Sequence, residues 1–117
     1  MDTIYCLVPR SYWQSYAERS EYIPRDYAEE GFIHATKGDD LLVKVANRVY
    51  AEFTDELLLL VIDETRVKSE IKYEQASDGR LYPHIYGPLS TDAIVEIRQM
   101  ERRDGRWAIG EPLDAGR

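Results

Sequence analysis

Six consecutive aliphatic residues, Leu57-Leu58-Leu59-Leu60-Val61-Ile62, constrain this chain more than any other stretch of it. A bilayer span takes about 20 apolar residues, so the run is far too short to be one. It also lacks the apolar–polar alternation of a strand with one wet face. It therefore reads as a central strand covered on both sides. In a chain of 117 residues the rest of the sequence has to supply both coverings. That size fits one hydrophobic core and a single domain over 1–117, with the core over about 3–109 and a loose C-terminal tail over 110–117.

The flanking elements follow from local pattern. Thr3 to Val8 is apolar and β-branched, which predicts a buried first strand ended by Pro9. Ser11 followed by Gln14 matches a capping box and predicts a helix through about Ser20, with Tyr12, Trp13 and Tyr16 on its packing face. Glu21 to Glu30, which contains Pro24, lacks periodicity and reads as a loop that delivers a short strand over Phe32 to Ala35. Leu41, Leu42, Val45, Ala46, Val49 and Phe53 recur at helical spacing behind a cap at Asp39 or Asp40. After the central strand come a connection with one helical turn near Arg66, a strand over Ile71 to Glu74, and a turn at Ser77 to Arg80. Ala93 to Met100 alternates as a half-exposed strand, and Asp104-Gly105 signals a hairpin returning over Arg106 to Ile109. This order predicts an α+β fold, a mostly antiparallel sheet packed by two main helices.

Charge and cysteine content exclude several classes of function. The net charge of −7 repels phosphate backbones, which excludes extended DNA binding and argues against RNA, while one small anion stays admissible. Cys6, the sole cysteine, permits neither an internal disulfide nor a thiolate zinc cluster, and its apolar neighbours suit a thiol packed as a small hydrophobe. Met1 to Tyr5 has no basic region and no long apolar stretch, so the expected location is cytoplasmic. The expected state is a monomer or weak homodimer acting on a small-molecule ligand.

The chemistry points to the two histidines, His34 and His84. Imidazole, with an ordinary pKa near ~6.5, can donate, accept or carry a proton around neutrality. His34 lies in Gly31-Phe32-Ile33-His34-Ala35-Thr36, where alternation puts Phe32, His34 and Thr36 on one face. His84 lies in Leu81-Tyr82-Pro83-His84-Ile85-Tyr86-Gly87-Pro88, where Tyr82, His84 and Tyr86 share a face able to stack a planar ligand. Pro83 implies an edge or irregular strand, and Gly87-Pro88 a tight turn or close backbone approach. A hairpin through Asp78-Gly79 would set Glu74 beside His84 and orient its ring. Arg80 and Arg25 are lesser candidates for an anion. Two histidines and a carboxylate can ligate metal, but their spacing matches no metal motif, so the expectation is no metal site. Phosphate-binding glycine loops and nucleophile elbows are absent from the sequence. The plainer alternatives are a strand-end histidine bonded to a carbonyl and a tyrosine-rich amphipathic surface.

Taken together, Ile4-Tyr5, Trp13, the segment Gly31 to Thr36, the strand Leu57 to Asp63, Tyr73-Glu74 and the segment Leu81 to Leu89 resemble the uncharacterised bacterial family called domain of unknown function 952. The resemblance runs from about Thr3 to Trp107. That family is similar in fold to the ADP-ribosyltransferase superfamily, which includes NAD-consuming RNA 2′-phosphotransferases. The resemblance implies a split sheet of ADP-ribosyltransferase type, NAD as a substrate, and a nucleotide-gripping role for His34. Many of those transferases carry a histidine or arginine on the first strand, where this chain has Tyr5-Cys6. The expected site is thus His34, His84 and Glu74 for chemistry, with Thr36, Tyr82, Tyr86, Gly87 and Tyr5 for ligand binding. Two functions remain open: an enzyme acting on NAD or a related nucleotide, and a non-catalytic small-ligand-binding or interaction module.

Overall fold

The computed structural model describes residues 2–113. Its strands are β1 (Thr3–Pro9), β2 (Glu21–Tyr22), β3 (Ile33–His34), β4 (Leu57–Asp63), β5 (Glu70–Gln75), β6 (Leu81–Tyr86), β7 (Leu89–Ser90), β8 (Ile94–Arg103) and β9 (Arg106–Pro112). Its helices are α1 (Arg10–Trp13), α2 (Tyr27–Glu30) and α3 (Asp39–Val49), with short 3-10 turns at Glu64–Arg66 and Thr91–Ala93. The strands pair antiparallel in three sheets, β1-β4-β8-β9, β2-β7 and β3-β6-β5. The fold is α+β, with few helices.

All of β4 is buried between β1 and β8, as the aliphatic run requires. Its two faces feed two separate clusters. Leu58, Leu60 and Ile62 pack with Ile4, Cys6, Val8, Ile33 and Ile85, while Leu57, Leu59 and Val61 pack with Leu42 and Ala46 of α3 and with Met100 and Trp107. Each fully buried leucine contributes about 1.5–3 kcal/mol of transfer free energy. At the far edge, Asp104 and Gly105 take φ of 53° and 78°, the left-handed pair that a two-residue hairpin needs between β8 and β9.

The small sheet carries the histidines, and one bridge joins it to the large one. Tyr5 N–H donates to the Thr36 carbonyl (2.8 Å) and Thr36 N–H to the Tyr5 carbonyl (2.9 Å). Ile33 and Ile85, paired across β3 and β6, are buried in the first cluster. Alternation therefore turns His34 and His84, the next pair in the register, to the opposite face.

Several local expectations are corrected. Helix α1 covers Arg10–Trp13 rather than Ser11 to Ser20, and no side chain caps it. The Tyr12, Trp13 and Tyr16 rings close around Tyr22, with centroids 6.2, 5.4 and 5.4 Å away, and the following backbone bonds span three residues instead of four. Aromatic packing curls the segment out of a straight helix. Glu21 to Glu30 is not wholly a loop, because β2 pairs with the distant β7 and α2 forms one turn. Helix α3 stops at Val49, short of Phe53, and the carbonyls of Tyr50, Ala51 and Phe53 accept from the Arg102 guanidinium instead of continuing the helix. Its N-cap is Gly38 rather than either aspartate, and Asp39 accepts from the Tyr5 hydroxyl at 2.5 Å. Of the two main helices expected, only α3 exceeds one turn, since α1 and α2 have four residues each.

Pro83 sits in β6, the middle strand of its sheet, not at an edge. The Pro83 carbonyl accepts from Ala35 N–H (3.1 Å), so its nitrogen faces the same side, where β3 has just ended and little ladder bonding is lost. Strand β9 continues through Pro112, so Gly110, Glu111 and Pro112 are strand and not tail. Leu113 N–H donates to the Ile97 carbonyl (2.7 Å), and residues 114–117 of the expected tail lie outside the described residues.

Candidate functional site

The register of the small sheet assembles the site. β3 pairs His34 with His84, and β5 sets Lys72 opposite His84 and Glu74 opposite Tyr82. The two imidazole centroids are 5.3 Å apart, with the rings inclined at 75°. Phe32, one residue before β3, stacks on His84 at 4.1 Å and 21°, and approaches His34 at 4.7 Å and Tyr86 at 5.4 Å. One phenyl ring thus touches three polar aromatics.

The two histidines have different surroundings. Only 14% of the His84 side chain is exposed, and its Nδ1 lies 2.8 Å from Glu74 Oε1. The Tyr86 hydroxyl donates to that same carboxylate oxygen. Those bonds, from Tyr86 first and His84 second, hold the Glu74 carboxyl below its ordinary pKa, and the bond to Glu74 raises that of Tyr86. His34 is 61% exposed, with Nε2 at 3.4 Å from Glu30 Oε2. Ion pairs this open are worth about 0–1 kcal/mol.

Beside the histidines lies a cavity of about 490 Å³, within the usual range for small-molecule sites. His34, His84, Thr36, Tyr82 and Tyr5 line it. Glu74, Tyr86 and Gly87 do not. Glu74 and Tyr86 support His84 from outside the cavity. Gly87, at φ +146°, packs so closely on Ser69 that an added Cβ would fall 2.4 Å from its Oγ. Thr36 is buried, with its backbone committed to Tyr5. The Tyr82 hydroxyl donates to Asp78 (2.6 Å), and burial followed by this bond raises the Tyr82 pKa. Burial, then the bond to Asp39, pushes that of Tyr5 up to about 12. Cys6 is buried at the cavity wall, its thiol donates to the His34 carbonyl at 3.3 Å, and burial pushes its pKa up to about 12.

Arg25 and Arg80 are not among the lining residues, whereas Arg48, Asp26 and Glu30 are. These three lie outside the site expected from sequence, as does Phe32. Alternation already placed Phe32 beside His34. Glu30 comes within 3.4 Å of His34 Nε2 after Gly31 turns left-handed at the end of α2, and Arg48, on α3, lies 3.8 Å from Asp78. Neither carries a local signal. Among the described residues, no group of three or more His, Cys, Asp or Glu side chains is placed to hold a metal ion, and no helix is long and apolar enough to cross a membrane.

Fold and site define an α+β protein with a histidine-lined cavity between a small antiparallel sheet and its neighbouring helices. The chain belongs to the family described as Protein of unknown function (DUF952), which it matches over residues 7–97. It is similar to the crystal structure of protein CC0527 from Caulobacter crescentus, with 20% identity, a TM-score of 0.78, and coverage of 95% of this chain and 93% of that one. The solution NMR structure of CC0527 gives 19% identity and a TM-score of 0.75 over 92% and 91% of the two chains. At such identity the likeness shows the fold alone. No curated protein matches this chain in sequence.

Proposed function

We propose that the cavity binds NAD or a related nucleotide, and that His34, His84 and Glu74 carry proton-transfer chemistry on it in the manner of an ADP-ribosyltransferase-like enzyme. The observation that carries this reading is the pairing of His34 with His84 across adjacent strands at a cavity wall, with a carboxylate on the more buried ring. Imidazole held by a carboxylate is a common general acid or base. The Phe32 ring and the apolar part of the lining suit a planar base, while Thr36 and Tyr82 suit a sugar or amide. In this reading the protein acts in the cytoplasm as a monomer or weak homodimer on small molecules, and its net charge of −7 supports a small molecule over DNA or RNA.

A second reading, a binding module without catalysis, is favoured by the first strand. Tyr5 is hydrogen-bonded to Asp39, and Cys6, which also lines the cavity, is a buried thiol bonded to the His34 carbonyl, so β1 supplies no free charge there. Titration of labelled protein with NAD, ADP-ribose and nicotinamide, followed at the histidine rings and at Thr36 and Tyr82, tests both. Saturable shifts with product formation that falls by roughly 100-fold or more in a folded His34→Ala variant support the enzyme. Saturable shifts without product favour the module. Silence at millimolar ligand sinks the nucleotide assignment.

A further inference from the structure

We propose that His84 is the proton acceptor of this site, and that Tyr86 is a positioning residue which, through Glu74, keeps the His84 ring with its Nε2 lone pair available to the cavity. This rests on the reading of the cavity as a ligand site. It separates two histidines that the sequence treats alike, and it moves Tyr86 from ligand contact to support.

Donors and acceptors around Glu74 fix the His84 tautomer. An ionised carboxylate only accepts, and Glu74 Oε1 meets both the Tyr86 hydroxyl and His84 Nδ1. Both partners must therefore donate. In neutral imidazole a proton on Nδ1 leaves a lone pair on Nε2. The lowered pKa of Glu74 keeps it ionised, and Lys72, with Nζ 4.8 Å from the Tyr86 ring centroid, adds positive charge nearby. Phe32 lies flat against the His84 ring and obstructs its rotation. Among the described residues no hydrogen bond is made by His84 Nε2. Nor is any sealed side-chain nitrogen or oxygen left without a partner there, so Nε2 is not sealed from solvent, and His84 itself lines the cavity. Among the described residues His34 has no comparable support, since its ion-pair partner there, Glu30, is itself 44% exposed.

A site of this kind takes a ligand that presents an O–H or N–H. In the step it performs, the ligand's O–H or N–H bond breaks and the proton moves to Nε2. The electron pair stays on the ligand atom, and the resulting imidazolium is balanced by Glu74. The same proton can later pass to a leaving group or to water.

The test needs no ligand, so its failure is distinguishable from failure of the nucleotide reading. Long-range proton–nitrogen spectra of histidine-labelled protein, taken above the ordinary imidazole range, report which ring nitrogen is protonated. His84 is expected to show Nδ1–H favoured by roughly tenfold or more, the bias of a charge-assisted hydrogen bond. Tyr86→Phe should cut that bias several-fold and Glu74→Gln should abolish it, while His34 signals stay in place. If Glu74→Gln fails to fold, Tyr86→Phe still decides the matter. Dominant Nε2–H in the wild type, or a His84 tautomer indifferent to Tyr86→Phe, overturns the proposal.

Discussion

Replacing Phe32 by leucine is the most direct probe of how the site is held. Phe32 makes one stacked contact with His84 at 4.1 Å and tilted contacts with His34 and Tyr86. Leucine keeps most of the apolar volume, and swaps of that kind cost under about 1.5 kcal/mol in packing. Aromatic pairs contribute about 0.5–1.5 kcal/mol beyond their buried area. The stacked pair supplies the larger part, so the total expected loss is about 1–2 kcal/mol. With a urea slope of about 1–2 kcal/mol per molar for a chain of this size, the unfolding midpoint should fall by roughly 1 M at unchanged slope. The His84 ring protons, which lie over the phenyl face, should move downfield in the same variant as the ring current disappears. Phe53→Leu is the control, because Phe53 pairs with Tyr50 instead. A Phe32→Leu protein with the wild-type midpoint and unmoved His84 signals would refute the stacking argument.

Two further outcomes follow from the buried and bonded groups. The carboxyls of Asp63, Glu74 and Asp78 are held below their ordinary pKa by hydrogen bonds, from Thr65, Tyr86 and Tyr82 respectively. The folded state thus binds fewer protons than the unfolded one in acid. This stability is fully present above the ordinary carboxyl range near ~4 and is lost as pH falls through the lowered folded values. Urea midpoints should decline as the pH falls below roughly 5, and Glu74→Gln should flatten that decline. An identical acid limb in that variant would contradict the assignment. Cys6, buried with its thiol pushed up to about 12, should resist iodoacetamide in the native protein and react once urea unfolds it. Native-state alkylation at the rate of an exposed cysteine would show that the sealed position is wrong.

Periodicity was informative where one element decides its own burial. The run Leu57 to Ile62 is a central strand because nothing polar in it could face water, and Asp104-Gly105 is a hairpin because its conformation is local. Leu41 to Val49 is a helix for the same reason. Periodicity failed where partners are distant. The stretch from Ser11 to Ser20 has good helix formers, yet the rings around Tyr22 outweigh propensity. Pro83 is tolerated in a middle strand only because β3 ends beside it.

For the site, the residue types and their faces were legible in the sequence. Alternation alone put Phe32 with His34 and put Tyr82, His84 and Tyr86 together, and a hairpin argument put Glu74 near His84. Which ring meets which was not legible, because that depends on the register between β3 and β6, strands some fifty residues apart in the chain. Nor could sequence show that Tyr86 turns to Glu74 and away from the cavity, or that Glu30 and Arg48 arrive at its rim. The amino-acid pattern by itself determined the antiparallel α+β class, the doubly covered central strand and the two histidine-bearing segments, since each follows from the period with which side chains leave the backbone. Only the tertiary structure decided the pairing of His34 with His84, the carboxylate beside each ring and the cavity they line, because those depend on distances between segments that no local pattern encodes.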